Sequence, residues 1–185
     1  MNNAMSMPMH MGLLMCDTEK PNIITVAWTG IINTIPPKTY ISVRPRRHSY
    51  NMIKESGEFV VNLTTDKLVK QTDYCGVKSG RDVDKFKETK LTRGKASELQ
   101  YAPTIEESPV NIECKLERIE ELGSHHMFVA KVLAVHADEK YMDEKGKFDL
   151  SKADLIVYSH GEYHSMGEKL GTFGYSIKKK DTKKK

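Results

Sequence analysis

Short apolar runs recur along the chain, alternating with polar residues or rich in β-branched side chains. They predict strands rather than long helices. Asn22 to Trp28 is β-branched and apolar and follows a turn-like stretch, Asp17 to Pro21. Thr39 to Val43 alternates and follows Pro36-Pro37, a pair that cannot sit inside a sheet. Glu58 to Leu63 is a third run. Asn111 to Ile119 puts Ile112, Cys114 and Leu116 on one face and mostly charged residues on the other. Met127 to Val135 and Leu155 to Tyr158 complete a set of six.

Short helices fall between these strands. Ser49 is placed to cap a helix over Tyr50 to Glu55, with Gly57 at its C-terminal end. Asp66 to Tyr74 carries Leu68, Val69 and Thr72 at helical spacing and ends at Gly76. A third helix is expected from about Asp82 through Phe86, capped by Asp82 or Asp84. Tyr141 to Asp154 is charged and holds the turn signal Asp143-Glu144-Lys145-Gly146, so it reads as a surface excursion. No regular βαβ alternation appears, which argues against a doubly wound parallel sheet. The pattern predicts a mainly β chain built as an antiparallel barrel with a few short helices.

Composition changes the picture in three places. The 185 residues suit one domain with a substantial core. The cysteines Cys16, Cys75 and Cys114 are odd in number, scattered and without a CxxC, which predicts reduced thiols and a cytoplasmic setting. The net charge of +4 is misleading, because the tail Lys178 to Lys185 alone carries +5 and leaves the body at −1. The tail is expected to be solvated and disordered, and no nucleic-acid partner is expected. No run approaches the roughly 20 apolar residues of a membrane helix, and the first ten residues do not read as a signal peptide.

The chemical motifs are mostly absent. Seven histidines form no HExxH and no Cys/His cluster, so solvated or hydrogen-bonded histidines are the expected reading and no metal is assigned. No GxSxG elbow, GxGxxG or GxxxxGK[ST] occurs. No catalytic residue is assigned. Two stretches are richer. Val43-Arg44-Pro45-Arg46-Arg47-His48-Ser49-Tyr50 leaves a strand and enters a helix. Cations, hydroxyls and helix-start amides there suit a phosphate dianion; a solvated basic loop fits the composition equally well. Lys78 to Phe86, with Ser79-Gly80-Arg81-Asp82-Val83-Asp84-Lys85 inside it, reads from charge alone as a solvated helix face.

Taken in order, these blocks resemble the flavin reductase-like family, and within it the flavoredoxin-like subgroup. The resemblance is carried by Lys20 to Trp28, Pro36-Pro37 with Tyr40 to Val43, Arg44 to Asn51 and Glu58 to Leu63. It continues through Ser79 to Phe86, Ala102-Pro103, Glu113-Cys114 and a glycine-rich end at Gly167 to Gly174. It implies a six-stranded antiparallel FMN-binding split barrel over residues 12–177, preceded by an extension at 1–11 and followed by the Lys-rich tail at 178–185. It also implies a homodimer with FMN near the subunit interface. By the same resemblance Ala27, Trp28, Thr29, Gly30, Asn33 and Thr34 run beside the isoalloxazine. Arg44, Ser49 and Tyr50 form the phosphate-side loop, and Lys85 is a flavin-contacting lysine. Tyr163, His164 and Gly167 either rim the exposed flavin face or pack on the dimer partner. The implied activity is NAD(P)H-dependent hydride or electron transfer through FMN to a small-molecule or protein acceptor. The alternative is a non-enzymatic electron carrier between redox proteins.

Overall fold

The predicted alternation becomes a seven-stranded antiparallel sheet rolled around an apolar core. The computed structural model describes residues 9–10, 12–16 and 20–177. The tail 178–185, most of the extension 1–11 and part of the turn before Pro21 lie outside the described residues. In chain order the first elements are β1 (Met9–His10), β2 (Gly12–Cys16), β3 (Asn22–Val26), β4 (Thr29–Thr34), β5 (Pro37–Val43), α1 (His48–Ser56) and β6 (Glu58–Leu63). Then come α2 (Val69–Val77), α3 (Lys85–Thr89), β7 (Arg93–Gly94), β8 (Thr104–Ile105), β9 (Val110–Glu121), β10 (His126–Ala137), β11 (Ile156–Ser159) and β12 (Glu162–Ser165).

The large sheet has the order β3-β2-β6-β9-β10-β5-β4, antiparallel throughout. Ile24 and Val26 of β3 share one apolar cluster with Ile41 and Val43 of β5, although four strands separate β3 from β5 in that order. The sheet therefore closes on itself, and β3 meets β5 across a split. Phe59, Val61, Phe128 and Ala130 fill the interior, and α1 closes it with Tyr50, Met52 and Ile53. Each large side chain sealed here contributes about 1.5–3 kcal/mol.

The alternate residues of the same strands serve a second cluster. Ile23 and Val60 face outward against Leu68, Cys75 and Phe86, which brings α2 and α3 onto β3 and β6. A seventh strand arises because β4 folds back on β5 as a hairpin arm, with Ile31 to Thr34 exposed. Pro37 takes the first position of β5, where a missing N–H is tolerated. A separate three-stranded sheet, β1-β11-β12, lies beside the barrel.

Helix boundaries differ from the sequence expectation. Helix α1 starts at His48 with Arg47 as its N-cap, so Ser49 sits in the first turn and is not the cap. Its end is as expected: Gly57 adopts φ 66° and donates its N–H to the Ile53 carbonyl at 2.9 Å. Helix α3 begins later than expected, at Lys85, because Asp84 rather than Asp82 caps it by accepting from the Lys87 N–H at 3.2 Å.

Candidate functional site

Two cavities open where the split between β3 and β5 meets the helices, and they share Ile24 and Arg47. The first is a slot of about 360 Å³. Ile24 through Trp28 form one wall, Ser42 to Arg44 another, and Asp73, Gly76 and Val77 of α2 approach from the side. His125, Tyr158 and Tyr163 complete it. Thr25 donates its hydroxyl to the Thr72 carbonyl, which fixes α2 against β3 at this point. Ser42 N–H donates to the Trp28 carbonyl at 2.8 Å, holding the opposite wall.

The slot carries an ordered polar rim. The Trp28 and His125 rings stack at 5.5 Å with an interplanar angle of 19°. Arg44 Nε–H donates to His125 Nε2 at 3.2 Å, so that nitrogen carries no proton. The proton then resides on Nδ1, which faces Ser124 Oγ at 3.1 Å. Burial, then the Arg44 and Arg47 charges, hold His125 below its ordinary pKa. Across the slot, Tyr163 donates its hydroxyl to Asp73 Oδ1 at 3.0 Å, and burial followed by that carboxylate pushes the phenol well above its usual range.

The second cavity, about 220 Å³, is basic. Arg46, Arg47, His48, Lys78 and Arg81 surround it, with Asn22, Ser49 and Cys75 at its base. Arg47 Nη1 reaches the Gly76 carbonyl at 3.4 Å, and Arg81 Nη1 the Arg46 carbonyl at 3.3 Å, so the cations are tied to the frame. Helix α1 points its start here with no side-chain cap and no acidic residue in its first turn. The positive end of its dipole is therefore not neutralised by its own side chains. Burial, then Arg81 and Lys85, lower the pKa of His48. Gly80 is required for space: a Cβ there would lie 2.1 Å from Asn22 Oδ1 and 2.8 Å from His48 Cδ2. Asn22 cannot yield easily, because its Nδ2 donates to Ser49 Oγ at 2.7 Å in a buried setting.

Residues 4–167 match the Flavin reductase like domain. The chain belongs to the flavin reductase-like family. An uncharacterised protein of Archaeoglobus fulgidus is 30% identical over 155 residues, covering 84% of this chain and 86% of that one. Among solved structures, flavoredoxin of Desulfovibrio vulgaris (Miyazaki F) superposes with a TM-score of 0.88 at 29% identity, covering 96% of this chain and 97% of that one. Flavoredoxin from Methanosarcina acetivorans gives 0.86 at 30% identity with the same coverage. The split-barrel architecture expected from the sequence is thus the architecture of this flavin reductase-like chain.

Within it, the structure separates the site residues expected from sequence into three groups. Ala27, Trp28 and Arg44 line the slot. Ser49 and Lys85 line the basic cavity. Lys85 is buried, and its Nζ donates to the carbonyls of Ile23 at 2.6 Å and Cys75 at 2.7 Å. Thr29, Gly30, Asn33 and Thr34 belong to the β4 arm and line neither cavity. Thr29 Oγ1 donates to the Tyr40 carbonyl at 2.8 Å and Asn33 Nδ2 to the Pro36 carbonyl at 2.6 Å, so both serve the hairpin. Tyr50 is turned into the core, with its hydroxyl 2.8 Å from His126 Nδ1. Of the C-terminal candidates, Tyr163 reaches the slot; His164 and Gly167 do not line it.

Sequence reasoning missed Arg47, Arg81, Asp73 and His125 as site residues. Arg47 and Arg81 stood inside the basic blocks already singled out, and the convergence of those two blocks was the available signal. Asp73 and His125 had none, since only the closure of the barrel brings α2 and the β9–β10 turn to the same slot. Among the described residues no group of three or more His, Cys, Asp or Glu side chains could hold a metal ion. No helix of the described residues is long and apolar enough to cross a membrane.

Proposed function

We propose that the protein binds FMN and acts as an oxidoreductase through it, with the isoalloxazine in the slot and the phosphate in the basic cavity. One observation carries the reading: a ring-sized slot with aromatic walls and a cationic cavity are joined at Ile24 and Arg47. The residues fit the group chemically. A phosphate monoester carries a charge of about −1.5 to −2. Arg46, Arg47, Arg81 and the uncapped start of α1 answer that charge. Trp28, Ala27 and Val43 give the apolar surface a flat ring requires. When bound, FMN supplies reversible hydride and electron acceptance. Arg44 sets a fixed positive charge on the slot wall, which favours a ring that has gained negative charge. Ser49 and Lys85 hold the walls in place rather than take part in chemistry.

The electron donor in this reading is NAD(P)H. The likeness to two flavoredoxins supports a second reading, in which electrons pass to or from a protein partner. We propose a homodimer as the working unit, supported by the exposed Ile31, Ile32 and Ile35 on the hairpin arm. The buried free thiols of Cys75 and Cys114 support a cytoplasmic setting.

The deciding measurement is the absorbance spectrum of the purified protein, followed by identification of the released flavin. A colourless protein that takes up no added FMN overturns the reading. Anaerobic titration with NADH and NADPH then separates its two forms. Reduction by either one supports the reductase, and reduction only by a protein donor supports the carrier.

A further inference from the structure

The β11–β12 hairpin, which walls one side of the slot, is anchored at its root and free at its tip. Leu155 and Ile156 at the root are buried. Ile156 N–H donates to the Thr64 carbonyl at 3.2 Å, Asp66 N–H donates to the Asp154 carbonyl at 3.0 Å, and Leu155 bridges Thr65. Beyond that root burial falls away, and every side chain of β12 except Tyr163 is exposed. The two strands are joined by a two-residue turn, His160 and Gly161, with φ 49° and 88°. Turns with both residues in that region match the twist of the strands they join. The hairpin is therefore a stiff unit that can swing about its root. Strand β1 pairs with β11 at two positions, and among the described residues β12 pairs with β11 alone.

That outer strand carries the contact that matters. Tyr158 and Tyr163 stand directly opposite each other on the hairpin, their rings 5.5 Å apart, and both line the slot. Asp73 and Val77 of α2 line it as well. The Tyr163 hydroxyl donates to Asp73 Oδ1 at 3.0 Å, so one side-chain bond joins the outer strand of the hairpin to α2 across 90 positions of sequence. Its acceptor does not drift, because the Thr25–Thr72 bond fixes α2 to β3 one residue away. Its donor is always present at neutral pH, because burial and the carboxylate keep the phenol protonated. A hydroxyl–carboxylate bond is charge-assisted, but Asp73 is exposed and water competes for it. Such a bond holds a resting position and still breaks readily.

We propose that the β11–β12 hairpin is a lid on the slot, latched shut by the Tyr163–Asp73 hydrogen bond, and that a flat ring enters or leaves only when this bond opens. The identity of the ring rests on the function proposed above; the latch itself does not. Tyr163 is a positioning residue here, holding the lid through Asp73. Lids of this kind set the rate of ligand exchange without setting the affinity, provided that they close equally over the empty and the filled site.

The test uses the full-length protein, Tyr163→Phe, Asp73→Ala and the double variant. Tyr163→Phe keeps the ring and removes the hydroxyl. Amide hydrogen exchange on flavin-free protein reads lid opening directly. Amides of 157–163 should exchange about threefold faster or more in each single variant, the scale of one partly exposed hydrogen bond, while those at 64–66 and 155–156 stay level. Stopped-flow fluorescence with FMN should show on-rate and off-rate rising together, with the dissociation constant hardly changed. The double variant should be no faster than either single one, because both remove the same bond. Hairpin amides that exchange at the native rate in either variant overturn the latch. Native FMN rates in both variants overturn the lid, and so does an off-rate that rises without the on-rate, which would make Tyr163 a contact of the ring. Failure of FMN to bind the unmutated protein overturns the function of the slot, and amide exchange then still decides the latch.

Discussion

Arg44 and Arg47 stand three positions apart, yet the fold gives them different surroundings. Arg44 is committed to His125 on the slot, whereas Arg47 stands at the junction of both cavities. Arg47→Ala is expected to weaken FMN by about 1.5–3 kcal/mol, the scale of a charged hydrogen bond. Riboflavin, which lacks the phosphate, should lose far less, and equal losses measured by flavin fluorescence would remove Arg47 from the phosphate. The Arg44–His125 bond makes a second prediction, with a definite sign. His125 has a folded pKa held below its ordinary value, so the neutral form is favoured in the folded protein. The bond to Arg44 is therefore intact above about pH 6.5 and is lost as pH falls through the lower folded value. Flavin affinity should be flat above that point and fall below it by about 0.5–1.5 kcal/mol, one hydrogen bond's worth. A His125→Gln variant should be level across the same range; an unchanged pH slope in it would assign the effect to another group.

Charged groups turned inward fix elements of the fold, both away from the site and beside it. Glu113 on β9 is wholly buried and accepts from the Ser97 and Glu98 amides, both at 2.8 Å, and from His136 Nε2 at 2.6 Å. Glu58 on β6 accepts from the Gln100 and Tyr101 amides at 3.0 and 2.9 Å. Together they clamp the segment 97–101 to the sheet. Burial alone would raise the pKa of Glu113, but its hydrogen bonds together bring it below the ordinary glutamate value. A depressed carboxylate contributes stability above its unfolded pKa of about 4.3 and loses it as pH falls through the folded value. Glu113→Gln should lower stability at pH 7 by about 1–3 kcal/mol and flatten the acid limb of the denaturation profile. A variant with unchanged pH dependence would show that Glu113 does not set it. Lys85 obeys the same logic. Its ammonium joins β3 to α2 through two buried carbonyls, so Lys85→Met should lower the denaturation midpoint before it alters flavin binding. Equal stability with weaker FMN would instead favour the direct contact expected from sequence.

These cases show what the sequence could and could not express. Strand β6 was legible to the residue because five of its six positions are buried and Gly57 marks its start. The cap of α1 was misread because Ser49, a good cap in isolation, is claimed by Asn22, 27 positions away. The stretch 43–50 left an anion cradle and a solvated basic loop equally open, and Lys85, named by resemblance, donates to a carbonyl 62 positions away that nothing near it in sequence signals. Strand β4 escaped because its isoleucines are exposed and break the expected alternation of burial.

That exposure has its meaning at the scale of the whole molecule. Strand β4 ends the large sheet, bonded to β5 on one side only. Ile31 on it is 65% exposed and Ile35, just past its end, 90%, and an apolar sheet edge left open invites pairing with another chain. The hairpin also continues directly from Trp28, so whatever covers the arm lies next to the slot. In the proposed homodimer the arm is covered by the second copy. The double substitution Ile31→Lys with Ile35→Lys should then raise the dimer dissociation constant at least tenfold, about 1.4 kcal/mol, as read by sedimentation. Because both positions are exposed in the single chain, its denaturation midpoint should hardly change. Neither Ile31 nor Ile35 lines the slot or the basic cavity, so the separated variant should still bind FMN. An unchanged mass would take the arm out of the interface. A monomer that folds normally but has lost FMN would show that the second copy completes the ring site, and that the arm carries a residue of that site to its partner.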